Sequence, residues 1–317
     1  MEKKSKEYLT SEIKRMKEEK NAIILAHYYQ IDDIQDIADF VGDSLALSQK
    51  AASNDAEIIL FAGVKFMAET AKILAPEKKV LLPDLNAGCS LADSCHAEDF
   101  KKFIDENPGR TVVSYVNTTA EIKALTDITC TSSNAVKIIE SLPKEEKIIF
   151  APDRNLGNYI KSLTGRDIIV WNGSCHVHEE FSLEEILKLK KKYPEAKILV
   201  HPECELPVRM VADCIGSTKA LLDFTINDKS DSYIIATESG IIHQMKKENP
   251  DKIFIPAPPR DSTCGCSECN FMKLITIEKV FNCLKNEEPE INVDSEIILK
   301  AQKPIKRMME ISKKSGI

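Results

Sequence analysis

Unbroken apolar runs of strand length alternate along the chain with longer stretches of helical period. The runs "AIILAH" from residue 22, "EIILFAG" from residue 57 and "KKVLLP" from residue 78 begin the series. They lack a clean apolar–polar alternation, which is typical of parallel strands covered by helices on both faces. The pattern therefore predicts an α/β protein with parallel sheets.

The same succession of elements occurs three times. Each copy starts with a strand-like run, at residues 22, 110 and 196, followed by a helical stretch and a Ser/Thr turn that opens another helix. A second strand and helix follow, and a third strand runs into a loop that contains cysteine. The strand ends at His27, Tyr115 and His201 are 88 and then 86 residues apart, so the chain contains an internal repeat.

This repeat predicts three α/β/α units with short parallel sheets, arranged around a pseudo-threefold axis with the active site at the centre. The expected boundaries are 1–108 with an N-terminal helix, 109–194, 195–287, and a C-terminal helical segment at 288–317 that packs on the outside. Amphipathic flanking helices are expected to cover the first and third units, and Pro304 is expected to break or start a helix.

Three cysteines, Cys89, Cys175 and Cys269, occupy equivalent loops of the three units. Three thiolates suit an iron–sulfur cluster better than structural zinc, which takes four ligands, and a three-cysteine cluster leaves one iron open as a Lewis acid. Cys264 and Cys266 precede Cys269 closely, so a local zinc clip or a redox pair is an alternative.

Polar residues follow the first strand of each unit in pairs two positions apart. Because parallel strands present their carboxyl ends to ligands, these side chains are expected to converge on one cavity. Ser/Thr turns at helix starts are expected to bind carboxylate or phosphate groups there. The pairs are His27 and Tyr29, Tyr115 and Asn117, and His201 and Glu203; the turns hold Ser44, Ser132, Ser217 and Thr218.

The charge balance excludes several partner classes. The formal net charge of −7 argues against nucleic acid and anionic membrane surfaces, which attract basic proteins. The N-terminal segment is charged throughout and lacks the apolar core of a signal peptide. Ten cysteines without an export signal indicate reduced thiols or metal ligands, and the expected compartment is the cytoplasm.

Nine short strings follow one another in this order along most of the chain: "LAHYYQ", "DIADFVGDSL", "YVNTTAEIKALTDITCTSSNA", "PDRNLG", "CHVH", "VHPEC", "IGST", "ATESGIIH" and "CNFMK". Through them the chain resembles the quinolinate synthase family of de novo NAD biosynthesis. The resemblance implies one 4Fe–4S cluster per chain on Cys89, Cys175 and Cys269. The third ligand string here reads C-x-C-x-x-C where many members have C-x-x-C-x-x-C, which leaves Cys264 and Cys266 without an assigned role.

The resemblance also implies the reaction, a condensation of iminoaspartate with dihydroxyacetone phosphate to quinolinate, phosphate and two waters. L-aspartate oxidase or an aspartate dehydrogenase would supply the iminoaspartate. Such chemistry needs a general acid and base, for which Glu203 with a raised pKa is expected, while His201 polarises the ketone. Tyr115 and Tyr29 are expected to exchange protons with leaving hydroxyls.

The remaining candidates have binding roles. Asn117 is expected to orient a carboxylate, His27 and His178 to bind anionic groups or line the cavity, and Glu238 is a weaker candidate for proton transfer. Two other functions stay open. One is another iron–sulfur hydro-lyase acting on a small carboxylic acid. The other is a non-catalytic redox sensor or metal-storage module built around Cys264, Cys266 and Cys269.

Overall fold

The computed structural model describes residues 5–260 and 268–316, and Cys264 and Cys266 lie outside these ranges. Within them the chain forms three separate four-stranded sheets, all parallel, which confirms the predicted α/β/α units. The strands are β1 (Ala22–His27), β2 (Phe40–Gly42), β3 (Ile58–Ala62), β4 (Lys79–Leu81), β5 (Thr111–Tyr115), β6 (Ile128–Cys130), β7 (Ile148–Ala151), β8 (Ile168–Val170), β9 (Lys197–Val200), β10 (Cys214–Ile215), β11 (Ser232–Ala236) and β12 (Ile253–Pro256). The pseudo-threefold axis and the unit boundaries stay predictions.

Helices cover the sheets and connect their strands. They are α1 (Lys6–Glu19), α2 (Asp32–Ile37), α3 (Ser44–Ala52), α4 (Lys65–Leu74), α5 (Ser90–Asp93), α6 (Ala97–Asp105), α7 (Ala120–Ala124), α8 (Ala135–Glu140), α9 (Arg154–Thr164), α10 (His176–Glu179), α11 (Leu183–Lys192), α12 (Leu206–Arg209), α13 (Thr218–Asn227), α14 (Ile241–Glu248), α15 (Ile277–Asn286) and α16 (Ser295–Lys314), with a 3₁₀ turn at Met272–Leu274. In the described part of the chain, no helix combines the length and the apolar character needed to cross a bilayer.

The strand order is the same in each sheet, β2-β1-β3-β4, β6-β5-β7-β8 and β10-β9-β11-β12. The short edge strands β2, β6 and β10 were not expected from the apolar pattern. An aspartate just before each edge strand accepts a hydrogen bond from a main-chain N–H of the neighbouring first strand. These bonds are Ile24 N to Asp39 Oδ2, Val112 N to Asp127 Oδ2 and Ile198 N to Asp213 Oδ2, each at 2.8 Å.

The C-terminal helices pack mainly on the first and second units, so the expected cover of the third unit is wrong. Helix α15 packs against α1 and β3, and α16 against α7, β6, α8 and α4. Helix α16 also continues through Pro304, contrary to the expected break. Its buried face contacts the second unit, where Thr129 Oγ1 donates to the Pro304 carbonyl at 3.2 Å and Asn134 Nδ2 to Ser312 Oγ at 2.9 Å.

The first two units share one large apolar core with α1, α15 and α16, whereas the third unit has two smaller clusters, one of which includes Tyr28 of the first unit. A buried glutamine links the third unit to the first. The Gln35 amide nitrogen lies 3.0, 2.9 and 2.9 Å from the carbonyl oxygens of Tyr28, Gln30 and Gly240. Apolar and polar contacts together therefore join the third unit to the first.

Candidate active site

A cavity lies where the carboxyl ends of the three sheets meet. It brings together all but one of the side chains that the sequence analysis selected. Among the described residues, those lining it are His27, Tyr29, Ser44, Cys89, Tyr115, Asn117, Ser132, Cys175, His178, His201, Glu203, Thr218, Glu238 and Cys269. The exception is Ser217, which does not line the cavity because its hydroxyl caps α13 by accepting from Ala220 N at 3.2 Å.

Two histidines at equivalent strand ends are held in one tautomer. The main-chain N–H of Tyr29 donates to His27 Nδ1 at 3.2 Å, and that of Glu203 donates to His201 Nδ1 at 3.3 Å. Each Nδ1 is therefore an acceptor, and Nε2 carries the ring hydrogen. Burial lowers the pKa of both rings to about 3, so they are neutral donors at physiological pH. His201 Nε2 lies 3.3 Å from Ser132 Oγ.

A buried carboxylate lies between the second and third units. Tyr115 donates its hydroxyl hydrogen to Glu203 Oε1 at 2.6 Å, and His178 Nδ1 lies 3.2 Å from Glu203 Oε2. Burial acts to raise the pKa of Glu203, but the His178 imidazole and the Tyr115 hydroxyl outweigh it and lower this pKa. The expected raised pKa is therefore wrong, because the structure surrounds the carboxylate with donors.

A threonine that the sequence analysis did not select connects two of the selected residues. Thr237 Oγ1 lies 2.8 Å from the Tyr29 hydroxyl and 3.0 Å from His178 Nε2, and the Tyr29 hydroxyl is also 2.8 Å from Thr218 Oγ1. Thr237 directly follows β11. Its position at a strand end was the available signal, since the same position marks the other cavity residues.

The helix starts are arranged differently from one unit to the next. Ser44 opens α3, but Asp43 caps it, with Asp43 Oδ1 accepting from Ala46 N at 3.0 Å. Ser133, which was also not selected, donates to Asp43 Oδ2 at 2.5 Å and thereby joins the first two units. Ser132 precedes α8 by three residues.

Two buried side-chain oxygens of the lining, Asn117 Oδ1 and Thr131 Oγ1, have no hydrogen-bond partner among the described residues.

The three equivalent cysteines lie at the cavity wall as free thiols. Cys89 precedes α5, Cys175 precedes α10 and Cys269 precedes the 3₁₀ turn. Burial raises the pKa of all three thiols, and for Cys89 and Cys175 the neighbouring cysteines raise it further. A cationic metal group would reverse this penalty, so the donor set fits one. Cys95, Cys130, Cys204, Cys214 and Cys283 do not line the cavity.

A buried ion pair supports the loop of the third cysteine. Lys273 Nζ lies 2.8 Å from Glu238 Oε1, which also accepts from Cys269 N at 3.1 Å, while Glu238 Oε2 accepts from Gly240 N at 2.8 Å. Lys273 Nζ further donates to the Tyr29 carbonyl at 2.8 Å. Glu238 is thus occupied by structural hydrogen bonds, which makes it a poor candidate for proton transfer.

Fold and cavity together define a class of protein with three α/β units and a shared cavity lined by thiols and polar side chains. Comparison with known proteins identifies the family. Residues 11–310 match the family model described as quinolinate synthetase A protein. The chain belongs to this family.

Curated relatives are similar over almost their whole length. A protein of Rippkaea orientalis named quinolinate synthase is 60% identical over 96% of this chain and 93% of its own. Relatives with the same name from Microcystis aeruginosa and Chloroherpeton thalassium are 58% and 56% identical, each over 96% of this chain and 95% of their own.

The Glu238–Lys273 pair leads to a stability prediction. Lys273→Met leaves the Glu238 carboxylate buried without its counter-charge, and we expect a loss of about 3–5 kcal/mol in the free energy of unfolding. Urea denaturation of the full chain measures this loss. Lys219→Met, which removes an exposed ion pair with Asp223, is the control and should change stability by about 1 kcal/mol or less. Equal stability of Lys273→Met and the unmodified chain would contradict the account.

The neutral state of His27 leads to a pH prediction. In the unfolded chain the His27 ring binds a proton below a pKa of about 6.5, whereas in the folded chain it does so only below about pH 3. The contribution of the neutral ring to the free energy of unfolding is therefore complete above pH 6.5 and declines as the pH falls towards 3. Between pH 7 and pH 5 the unmodified chain should therefore lose about 2 kcal/mol more stability than His27→Gln. Urea titrations at both pH values test this.

His96→Gln is the matched control for this experiment, because His96 is exposed to solvent. Its loss of stability between pH 7 and pH 5 should parallel that of the unmodified chain. If the loss of stability of His27→Gln between pH 7 and pH 5 also equals that of the unmodified chain, His27 is protonated in the folded protein and the tautomer described above is incorrect.

Proposed function

We propose that this protein is a quinolinate synthase, a transferase that condenses iminoaspartate with dihydroxyacetone phosphate to quinolinate, phosphate and two waters. The main support is that cysteines from three different α/β units line one cavity beside Glu203, His201 and Tyr115. Membership of the family and the names of its members support the same activity. An oxidase or dehydrogenase acting on L-aspartate would supply the iminoaspartate, and the proposed compartment is the cytoplasm.

Cys89, Cys175 and Cys269 would hold the 4Fe–4S cluster. Their free thiols share one cavity wall, and the cost of burying them together falls when iron neutralises the thiolates. When bound, a cluster with three cysteine ligands supplies one open iron as a Lewis acid. The protein contributes the binding, orientation and proton transfers described next.

Neutral donors around the cavity would bind the anionic groups of the substrates. His27 Nε2–H and the hydroxyls of Ser44, Ser132 and Thr218 suit carboxylate and phosphate oxygens, and Ser44 and Thr218 open helices whose dipoles favour negative charge. Asn117 Oδ1, which has no partner among the described residues, would accept from an imine or hydroxyl hydrogen. These groups orient the two substrates without adding fixed positive charge.

Glu203 would act as the general base. Its carboxylate is ionised, which is the form that accepts a proton, and would take one from the carbon next to the ketone. The neutral His201 Nε2–H would polarise the ketone, and Tyr115, whose pKa burial raises well above its usual value, keeps a hydrogen to donate to a departing hydroxyl. Tyr29, linked through Thr237 to His178, would serve a second hydroxyl.

An anaerobic product assay tests the function directly. The chain purified without oxygen should contain about four irons and form quinolinate from the two proposed substrates. Cys89→Ala, Cys175→Ala and Cys269→Ala should each lose the cluster and the activity. Cys214→Ala is the matched control, because this thiol lies outside the cavity, and it should keep both. An iron-loaded chain that makes no quinolinate would favour another hydro-lyase.

Glu203→Gln tests the base separately from the cluster. The carboxamide keeps the size of the side chain and an acceptor for Tyr115 but cannot accept a proton, so kcat should fall by about 10²–10⁴-fold with the iron content unchanged. Glu195→Gln, at an exposed position of the same unit, should retain full activity. Activity of Glu203→Gln within a few-fold of the unmodified chain would assign the base to another residue.

A further inference from the structure

Three different metal-binding side chains converge on one point of the cavity. The Cys175 thiol, one imidazole nitrogen of His178 and a carboxylate oxygen of Glu203 all lie within 4.8 Å of one another. His178 Nδ1 is at the centre of this group, 3.2 Å from Cys175 Sγ and 3.2 Å from Glu203 Oε2. A sulfur, an imidazole nitrogen and a carboxylate oxygen are the donors that zinc takes in proteins.

From this convergence we propose that Cys175, His178 and Glu203 form a zinc site in the chain that carries no iron–sulfur cluster. The proposal goes beyond the reaction, since it shares only Cys175 with the three-cysteine set. Zn–N distances of about 2.0–2.1 Å and a Zn–S distance of about 2.3 Å place tetrahedral ligand atoms about 3.3–3.6 Å apart. The two distances from His178 Nδ1 are within a few tenths of an ångström of these values.

Groups outside the triad already orient its ligands for a metal. Metal-binding histidines usually hydrogen-bond through their other ring nitrogen, and His178 Nε2 lies 3.0 Å from Thr237 Oγ1, which leaves Nδ1 to face the metal. Glu203 Oε1 accepts from the Tyr115 hydroxyl at 2.6 Å, so Oε2 is the free ligand atom. Both side chains are buried and need little rearrangement to coordinate zinc.

The cavity supplies the entry path and the fourth ligand. All three side chains line it, so a water or a substrate oxygen can complete the tetrahedron, as in zinc sites with three protein ligands. Zinc would replace two protons. One lies between His178 Nδ1 and its neighbours Cys175 and Glu203, and the other is the proton of the Cys175 thiol. Because Cys175 cannot serve both metals, bound zinc excludes cluster assembly and occupies the general base.

Zinc analysis of the cluster-free full chain tests the site. The chain carries Cys264→Ser and Cys266→Ser, so that these thiols cannot bind zinc, and is desalted after addition of zinc chloride under anaerobic conditions. One zinc per chain is expected. Cys175→Ser, His178→Ala and Glu203→Gln should each weaken binding by about 100-fold or more, and Thr237→Val, which frees His178 Nε2, by about 10–100-fold.

Cys89→Ser and Cys269→Ser are the decisive controls, because both residues line the cavity but lie outside the triad. Both should bind zinc as the parent chain does. Loss of zinc in either of them, with retention in His178→Ala, would replace the proposed site with a three-thiolate site. Absence of stoichiometric zinc from the parent chain would also overturn the proposal.

Cobalt gives a readout on the parent chain that does not depend on the folding of variants. Co²⁺ at the proposed site should show a thiolate-to-cobalt charge-transfer band and the strong d–d bands of tetrahedral geometry, with the charge transfer of one thiolate. Octahedral d–d bands, or the charge transfer of three thiolates, would contradict it. None of these measurements uses quinolinate formation, so failure here and failure of the proposed reaction are distinguishable.

Discussion

Hydrogen bonds that lie at the cavity itself help to join the third unit to the other two. The large apolar core joins the first two units, while the clusters of the third unit are mainly its own. Across the seams, Tyr115 donates to Glu203 and the Tyr29 hydroxyl contacts Thr218 and Thr237. Hydrogen bonds that help to join the third unit to the others therefore also position the groups proposed for catalysis, and a change at one affects both.

The cavity surrounds the Glu203 carboxylate with several neutral donors. Glu203 is held as a carboxylate, whereas burial keeps His27 and His201 uncharged and the Tyr29 and Tyr115 hydroxyls protonated. Two anionic substrates would meet strong repulsion if several carboxylates were ionised here. A carboxylate among neutral donors, with the nearby Glu238 paired to Lys273, provides a base at a lower electrostatic penalty.

Much of this arrangement could be predicted from the sequence. Unbroken apolar runs specify parallel strands, and the spacing of His27, Tyr115 and His201 places polar side chains at equivalent strand ends. The direction of the Glu203 pKa could not be predicted, because it depends on donors that only the tertiary structure supplies. Likewise, the amphipathic pattern of α16 shows that one face is buried but not which unit covers it, and Pro304 is tolerated because its turn packs into that interface.

The tautomers of the histidines determine where protons can travel. A ring whose Nδ1 already accepts a peptide hydrogen cannot take up a proton at one nitrogen and release it from the other. His27 and His201 therefore do not relay protons. His178 has both nitrogens in side-chain contacts, one with Glu203 and one with Thr237. A proton accepted by Glu203, the proposed base, would therefore have a hydrogen-bonded path through His178 and Thr237 to the Tyr29 hydroxyl, in addition to the contact of Glu203 with the Tyr115 hydroxyl.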